Sequence, residues 1–196
     1  MKPFSESSVE NAAPILAVLT RVFADRKAVL EIGSGTGQHA VYFAPHLPHL
    51  TWQTGDLPAN HAGILMWLEE AGLANALPPI DTDARAEGWK TGRYDAVFTA
   101  NTLHIMDWGA VEALFEGVGR VLAPGGVLAA YGPFHFHGRP TAESNVRFDA
   151  WLRARDPASG VRDFVDLDRL ARAAGLGLAE DVEMPVNNRI LIWRKP

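Results

Sequence analysis

The sequence of 196 residues contains no cysteine. Disulfides, thiolate catalysis and cysteine metal sites are therefore excluded. A basic excess is also missing: 18 Lys and Arg against 23 Asp and Glu give a net charge of −5. A grip on a nucleic-acid backbone usually needs the opposite sign, so DNA and RNA are not expected partners. No apolar run approaches the roughly 20 residues of a membrane span, so no membrane is expected either. The opening MKPFSESSVENAAPILAVL has one early lysine and then a polar, acidic stretch, which is not a secretory pattern. The expected location is the cytoplasm. Repeats, charge blocks and linker-like stretches are absent as well. At roughly 150 residues per domain, that leaves a single domain over 1–196. Hydrophobic residues at 47% and charged residues at 21% are ordinary for a globular chain.

What is present alternates between short β-rich runs and amphipathic segments. Ser8 or Asn11 is expected to cap a first helix, with Pro14 in its first turn. Strands are expected at 28–32, 50–54, 77–80, 94–100 and 127–131. Helices are expected at 38–44, 58–71, 111–122, 144–153 and 167–174. Pro124-Gly125-Gly126 reads as a turn. Strands alternating with helices imply a mostly parallel sheet. Two closing strands, near 178–184 and 189–194, are joined by only Pro185-Val186-Asn187-Asn188. That connection is too short for a parallel crossover, so the pair must be an antiparallel hairpin.

The first strand runs into Glu31-x-Gly33-x-Gly35-x-Gly37. Ligands of open α/β sheets bind beyond the carboxyl ends of the strands, where this loop lies. Gln38 stands where a dinucleotide fingerprint needs its third glycine, and no Gly-Lys-Ser or Gly-Lys-Thr phosphate loop occurs. The spacing resembles motif I of class I S-adenosylmethionine-dependent methyltransferases. That resemblance implies a Rossmann-like α/β sandwich: a seven-stranded, mostly parallel sheet with an antiparallel C-terminal hairpin and helices on both faces. It implies S-adenosylmethionine as cofactor. Asp56 at the end of the second strand would hold the ribose hydroxyls. Asp83, with Asp81 second, would meet the adenine.

A narrower likeness lies in Glu10-Asn11-x-x-Pro14-Ile15-Leu16, Ser34 to Ala40, Tyr131-Gly132-Pro133-Phe134, Ser144-Asn145-x-x-Phe148-Asp149-x-x-Leu152-Arg153, and Met184-Pro185-x-Asn187-Asn188. These segments resemble the small methyltransferase family labelled domain of unknown function 938. Glu10-Asn11 departs from the Arg-Asn expected there. The likeness implies a fold and a cofactor class but no substrate.

The expected cofactor set is Asn11, Glu31, Gly33, Ser34, Gly35, Gly37, Gln38, His39, Asp56, Leu57, Asp83 and Asn101. Candidate bases follow the fourth and fifth strands: His104, Asp107, His135 and His137. The i, i+2 spacing of the last two histidines puts both on one face of an extended segment. Three histidines and Asp107 also admit zinc, but no standard ligand motif is present, so no metal is expected. Residues 132–163 are the natural substrate cover. Trp108, Tyr131, Asn145, Asp149 and Arg153 are the expected substrate contacts; Arg153 pairing with Asp149 at i, i+4 is the structural alternative. The partner expected is a small molecule, methylated on oxygen or nitrogen by a monomer or homodimer. A cofactor-binding module without catalysis is the alternative, and a nicotinamide-dependent reductase a weaker one.

Overall fold

A computed structural model describes residues 2–196. In chain order its strands are β1 (Ala28–Ile32), β2 (Thr51–Asp56), β3 (Ala76–Asp81), β4 (Tyr94–Ala100), β5 (Leu122–Gly132), β6 (Phe134–Phe136), β7 (Arg139–Pro140), β8 (Arg162–Asp163), β9 (Gly177–Met184) and β10 (Asn188–Arg194). Its helices are α1 (Glu6–Val22), α2 (Gln38–His46), α3 (Pro58–Ala71), α4 (Trp108–Val121), α5 (Glu143–Arg155) and α6 (Phe164–Ala173). Seven strands form one sheet in the order β3-β2-β1-β4-β5-β10-β9. The first five run parallel, and β10 is antiparallel to both of its neighbours. This is the architecture that the resemblance implied: a seven-stranded, mostly parallel sheet closed by an antiparallel C-terminal hairpin.

The alternation of each strand divides the apolar side chains between two cores. Val29 packs on one face of β1 with Ile15, Leu19, Phe43, Trp52 and Ile64 from α1, α2, β2 and α3. Leu30 and Ile32 point the other way, to Leu114, Phe115 and Val118 of α4 and Leu167 of α6. A parallel sheet needs this cover on both faces. The chain grows outward through β2 and β3, then returns to place β4 on the other side of β1. The carboxyl ends of β1 and β4 therefore flank a crevice.

Several expectations change in detail. The cap of α1 is Ser5, whose Oγ accepts the Ser8 N–H at 3.2 Å, rather than Ser8 or Asn11. Pro14 sits mid-helix, not in the first turn, and its missing N–H leaves the Glu10 carbonyl without a helical partner. Pro124-Gly125-Gly126 is a bulge inside β5, not a free turn. Pairing jumps from Tyr94–Leu122 to Ala96–Val127, and Gly125 at φ +77 donates to the Lys195 carbonyl. The segment 132–163 also holds more than a helix: β6 pairs with β7 and β8 in a small second sheet. His137 and Gly138 form its turn, both at positive φ (55 and 71). His137 therefore stands beyond the end of β6, in a left-handed conformation outside the strand's regular alternation. No described helix is long and apolar enough to cross a membrane.

Candidate functional site

The crevice opens into two adjoining cavities. The first, of roughly 1150 Å³, lies over the ends of β1, β2 and β4. The second, of roughly 710 Å³, lies between α1, α5 and the β9–β10 turn. Ser7, Asn101, Ile105 and Asp156 line both and mark the junction. Asn101 follows β4 at φ +55, a left-handed conformation that asparagine tolerates better than most residues.

Gly33, Ser34, Gly35, His39, Asp56, Leu57, Asp83 and Asn101 of the expected cofactor set all line the first cavity. Three expected members stand behind its wall. Gly37 caps α2 at φ +89. Gln38 is buried, and its Oε1 accepts the Ser5 N–H at 2.6 Å, tying the N-terminal segment across the cavity. Glu31 is buried between Trp52 Nε1 (3.0 Å) and Ser34 Oγ (2.9 Å), both of which donate to it. Burial lifts its carboxyl to about 7 against those two bonds, and the nearby Asp56 charge adds to the rise. Asn11 lines the second cavity instead. It accepts from His39 Nε2 at 2.7 Å, and its side chain also meets the Tyr131 hydroxyl. Asn188 Nδ2 donates to that hydroxyl at 2.9 Å. A polar relay therefore links the two cavities.

Asp56 organises the first cavity. Its Oδ2 accepts the Gly35 N–H at 2.6 Å, and its Oδ1 accepts from Leu57 N (2.7 Å) and Asn60 Nδ2 (2.8 Å). Of roughly four lone-pair sites on a carboxylate, about one stays open to a ligand hydroxyl. On the same wall the buried Thr82 Oγ1 has no hydrogen-bond partner among the described residues. Such a group implies a ligand or water partner. A Cβ on Gly35 would meet nothing within 4 Å, so this loop leaves room for a ligand against its backbone.

The candidate bases separate. His104 is buried and lines the second cavity, edge-on to Phe148 at 5.2 Å. Burial, with Arg162 nearby, lowers its pKa to about 4, so the ring is neutral at pH 7. Its loop is stapled from residues 158–162. Gly160 N donates to the His104 carbonyl (2.9 Å) and Ser159 Oγ to that of Ile105 (2.7 Å). The buried Arg162 donates to the carbonyls of Leu103, Met106 and Ala158. Asp107 lines the first cavity, where it caps α4 through Ala110 N and pairs with Arg85 at 2.5 Å. His135 and His137 line neither cavity.

Of the expected substrate contacts, Tyr131 and Asn145 line the second cavity. Trp108, Asp149 and Arg153 do not. Trp108 starts α4 and donates to Glu112 at 2.9 Å. Asp149 accepts from Val161 N (2.7 Å) and Arg153 Nε (2.9 Å), so the pair braces the loop before β8. The wall that residue patterns missed carries Ile105, Phe148, Trp151 and Val186. Phe148 and Leu152 follow Asn145 at i+3 and i+7, a helical stripe that could have flagged this face. Among the described residues, no three His, Asp or Glu side chains converge as metal ligands do.

The family described as protein of unknown function (DUF938) matches residues 2–195. The chain belongs to this family. Solved structures show the same fold. An O-methyltransferase family protein from Burkholderia thailandensis matches at TM-score 0.85 and 18% identity, over 97% of this DUF938 chain and 57% of that one. The mitomycin 7-O-methyltransferase matches at 0.84 and 17%, over 97% and 54%. Human N-acetylserotonin methyltransferase, solved with S-adenosylmethionine, matches at 0.79 and 16%, over 97% and 53%. The DUF938 chain thus spans a little over half the length of these structures.

Three buried groups dominate the pH dependence of stability between pH 4.5 and 6.5. Burial lowers His39, like His104, to about 4. Both histidines bind a proton in the unfolded chain near 6.5 but in the fold only near 4, so each lowers stability as pH falls from 6.5 to 4. Glu31 acts oppositely: its raised pKa favours the fold below 4.5, and that gain is lost as pH rises through about 7. Between pH 4.5 and 6.5 the net difference is one proton. Stability should fall by roughly 1.4 kcal/mol per pH unit on acidification. Glu31→Gln should double that slope, as read by urea unfolding at pH 5 and 6. An unchanged slope would show that Glu31 is already ionised in the fold.

Proposed function

We propose that this chain is an S-adenosylmethionine-dependent methyltransferase that acts on a small-molecule hydroxyl or amine. The observation that carries the reading is the junction: a cavity built on the glycine loop and Asp56 opens beside a second, largely apolar cavity that holds an unpaired histidine. A binding module without catalysis has no need of the second cavity.

In this reading Asp56 accepts a ribose hydroxyl, and the backbone around Gly33 and Gly35 carries the methionine part. Thr82 and Asp83 face the adenine. When bound, S-adenosylmethionine supplies a methyl group on a positively charged sulfur that leaves with the bonding pair. The protein's part is to align the acceptor at Asn101 and to exclude water. His104, neutral and with no protein hydrogen bond to its ring, takes the acceptor's proton. Residues 132–163 supply the acceptor wall through α5.

Calorimetric titration with S-adenosylmethionine and S-adenosylhomocysteine tests the reading. Micromolar binding of both is expected, and binding of neither would overturn it. His104→Ala should lower transfer to a hydroxylated acceptor by roughly 10²–10⁴-fold and leave S-adenosylhomocysteine affinity unchanged. Full activity in that variant would remove the general base from the mechanism.

A further inference from the structure

We propose that the second cavity selects a flat, uncharged aromatic acceptor, and that Val186 is the residue that selects it. This rests on reading the first cavity as the cofactor site. Val186 stands at φ 58, ψ 37, and Asn187 follows at φ 59. Asparagine adopts that left-handed conformation readily, but a β-branched valine there is an outlier that costs energy. No core contact explains it, because Val186 is 80% exposed. It lines the second cavity.

The turn is held from outside. Asn188 N donates to the Pro185 carbonyl. Asn145 Nδ2 donates to the Asn187 carbonyl at 3.2 Å, and Asn187 Nδ2 donates to Ser144 Oγ at 3.1 Å. The Asn188 side chain is tied to Tyr131. Neighbours on α5, β5 and β10 thus over-determine one strained residue and keep its isopropyl group at the rim. Strain maintained in this way clusters at ligand clamps.

The α5 side of the wall is flat and aromatic. Phe148 and Trp151 stack at 5.8 Å with 17° between their planes. The Arg155 guanidinium continues the stack over Trp151 at 4.5 Å. These three residues fall at i, i+3 and i+7, on one face of α5. Trp151 (51%) and Ile105 (59%) are as exposed as rim residues must be to meet a ligand. The charged side chains of the wall, Glu10, Arg155 and Asp156, are all exposed, so its buried part carries no fixed charge. Stacked rings with an apolar clamp complement a planar ring better than a puckered one.

The test compares wild type, Val186→Asn and Val186→Gly. Three probes are used: S-adenosylhomocysteine, then 2-naphthol and its puckered analogue decahydro-2-naphthol. Wild type should bind 2-naphthol at least tenfold more tightly than the analogue. Val186→Asn should melt roughly 2–4 °C higher through relief of strain. It should bind S-adenosylhomocysteine as wild type does, and 2-naphthol about fivefold more weakly. Val186→Gly should show the same loss for 2-naphthol. Equal affinity for the two alcohols, no 2-naphthol binding to wild type, or unchanged 2-naphthol binding in both variants would overturn the proposal. A lower melting temperature in Val186→Asn would remove the strain argument and overturn it too. Failure of wild type to bind S-adenosylhomocysteine would instead strike the cofactor reading, and the comparison of alcohols would still decide this one.

Discussion

Asp56→Ala is expected to weaken S-adenosylhomocysteine binding by at least about 100-fold. A hydrogen bond to a charged group contributes roughly 1.5–3 kcal/mol, so the loss of a direct ribose contact alone corresponds to about 10–150-fold. A second effect adds to this. The same carboxylate holds Gly35 N, Leu57 N and Asn60 Nδ2, so its removal frees the glycine loop from the start of α3. Asp56→Asn should fall between wild type and alanine, because an amide keeps one acceptor oxygen but turns a donor toward another donor. Calorimetry on folded variants reads the affinity, and a melting curve reads the loop. Wild-type affinity in Asp56→Ala would reduce Asp56 to a structural brace.

Gly33→Ala and Gly35→Ala should fail in different ways, although both glycines share one loop and a positive φ (76 and 59). A Cβ on Gly33 would lie 2.7 Å from Thr102 Cγ2 and closer still to its Oγ1. Thr102 lies two residues beyond β4, so this clash pushes apart the two strands that flank the crevice. Backbone strain of roughly 1–3 kcal/mol and overpacking of similar size add at this position. The melting temperature should fall by roughly 5–15 °C. At Gly35 the Cβ meets no protein atom, so only the backbone term applies. Its methyl enters the cavity, however, and S-adenosylhomocysteine affinity should drop by tenfold or more while the fold survives. If Gly35→Ala bound the ligand as wild type does, the loop backbone would not be where the ligand lies.

Much of the frame was legible because it depends on neighbours in sequence. The run Ala28–Ile32 is buried on both faces, as a central parallel strand must be, and the structure places it third of seven. Gly37 at the head of α2 and Gly72 at the end of α3 take the left-handed angles that glycine allows. The site was less legible. Arg153 looked like a ligand contact on motif grounds, yet it is bound to Asp149 and braces a loop. Arg162 lies within the segment 132–163 expected to cover the substrate. It is buried under three carbonyls from residues 103, 106 and 158, and so fixes the loop that carries His104.

By itself the sequence determined the order of the seven main-sheet strands and the six helices, the glycine loop, the carboxylate at the end of β2 and the antiparallel closing hairpin. Each follows from spacing within a few residues: periodicity, a φ that only glycine takes cheaply, or a connection too short to cross over. The tertiary structure alone decided which candidate base faces the second cavity. His104 and His137 follow strand ends while His135 lies inside β6, and single left-handed residues at Asn101 and His137 redirect the chain. It also decided that one face of α5 and a strained valine build the second wall. Side-chain direction at such points is set by contacts with distant segments, such as Asn145 on Asn187, 42 residues apart, and local pattern does not contain them.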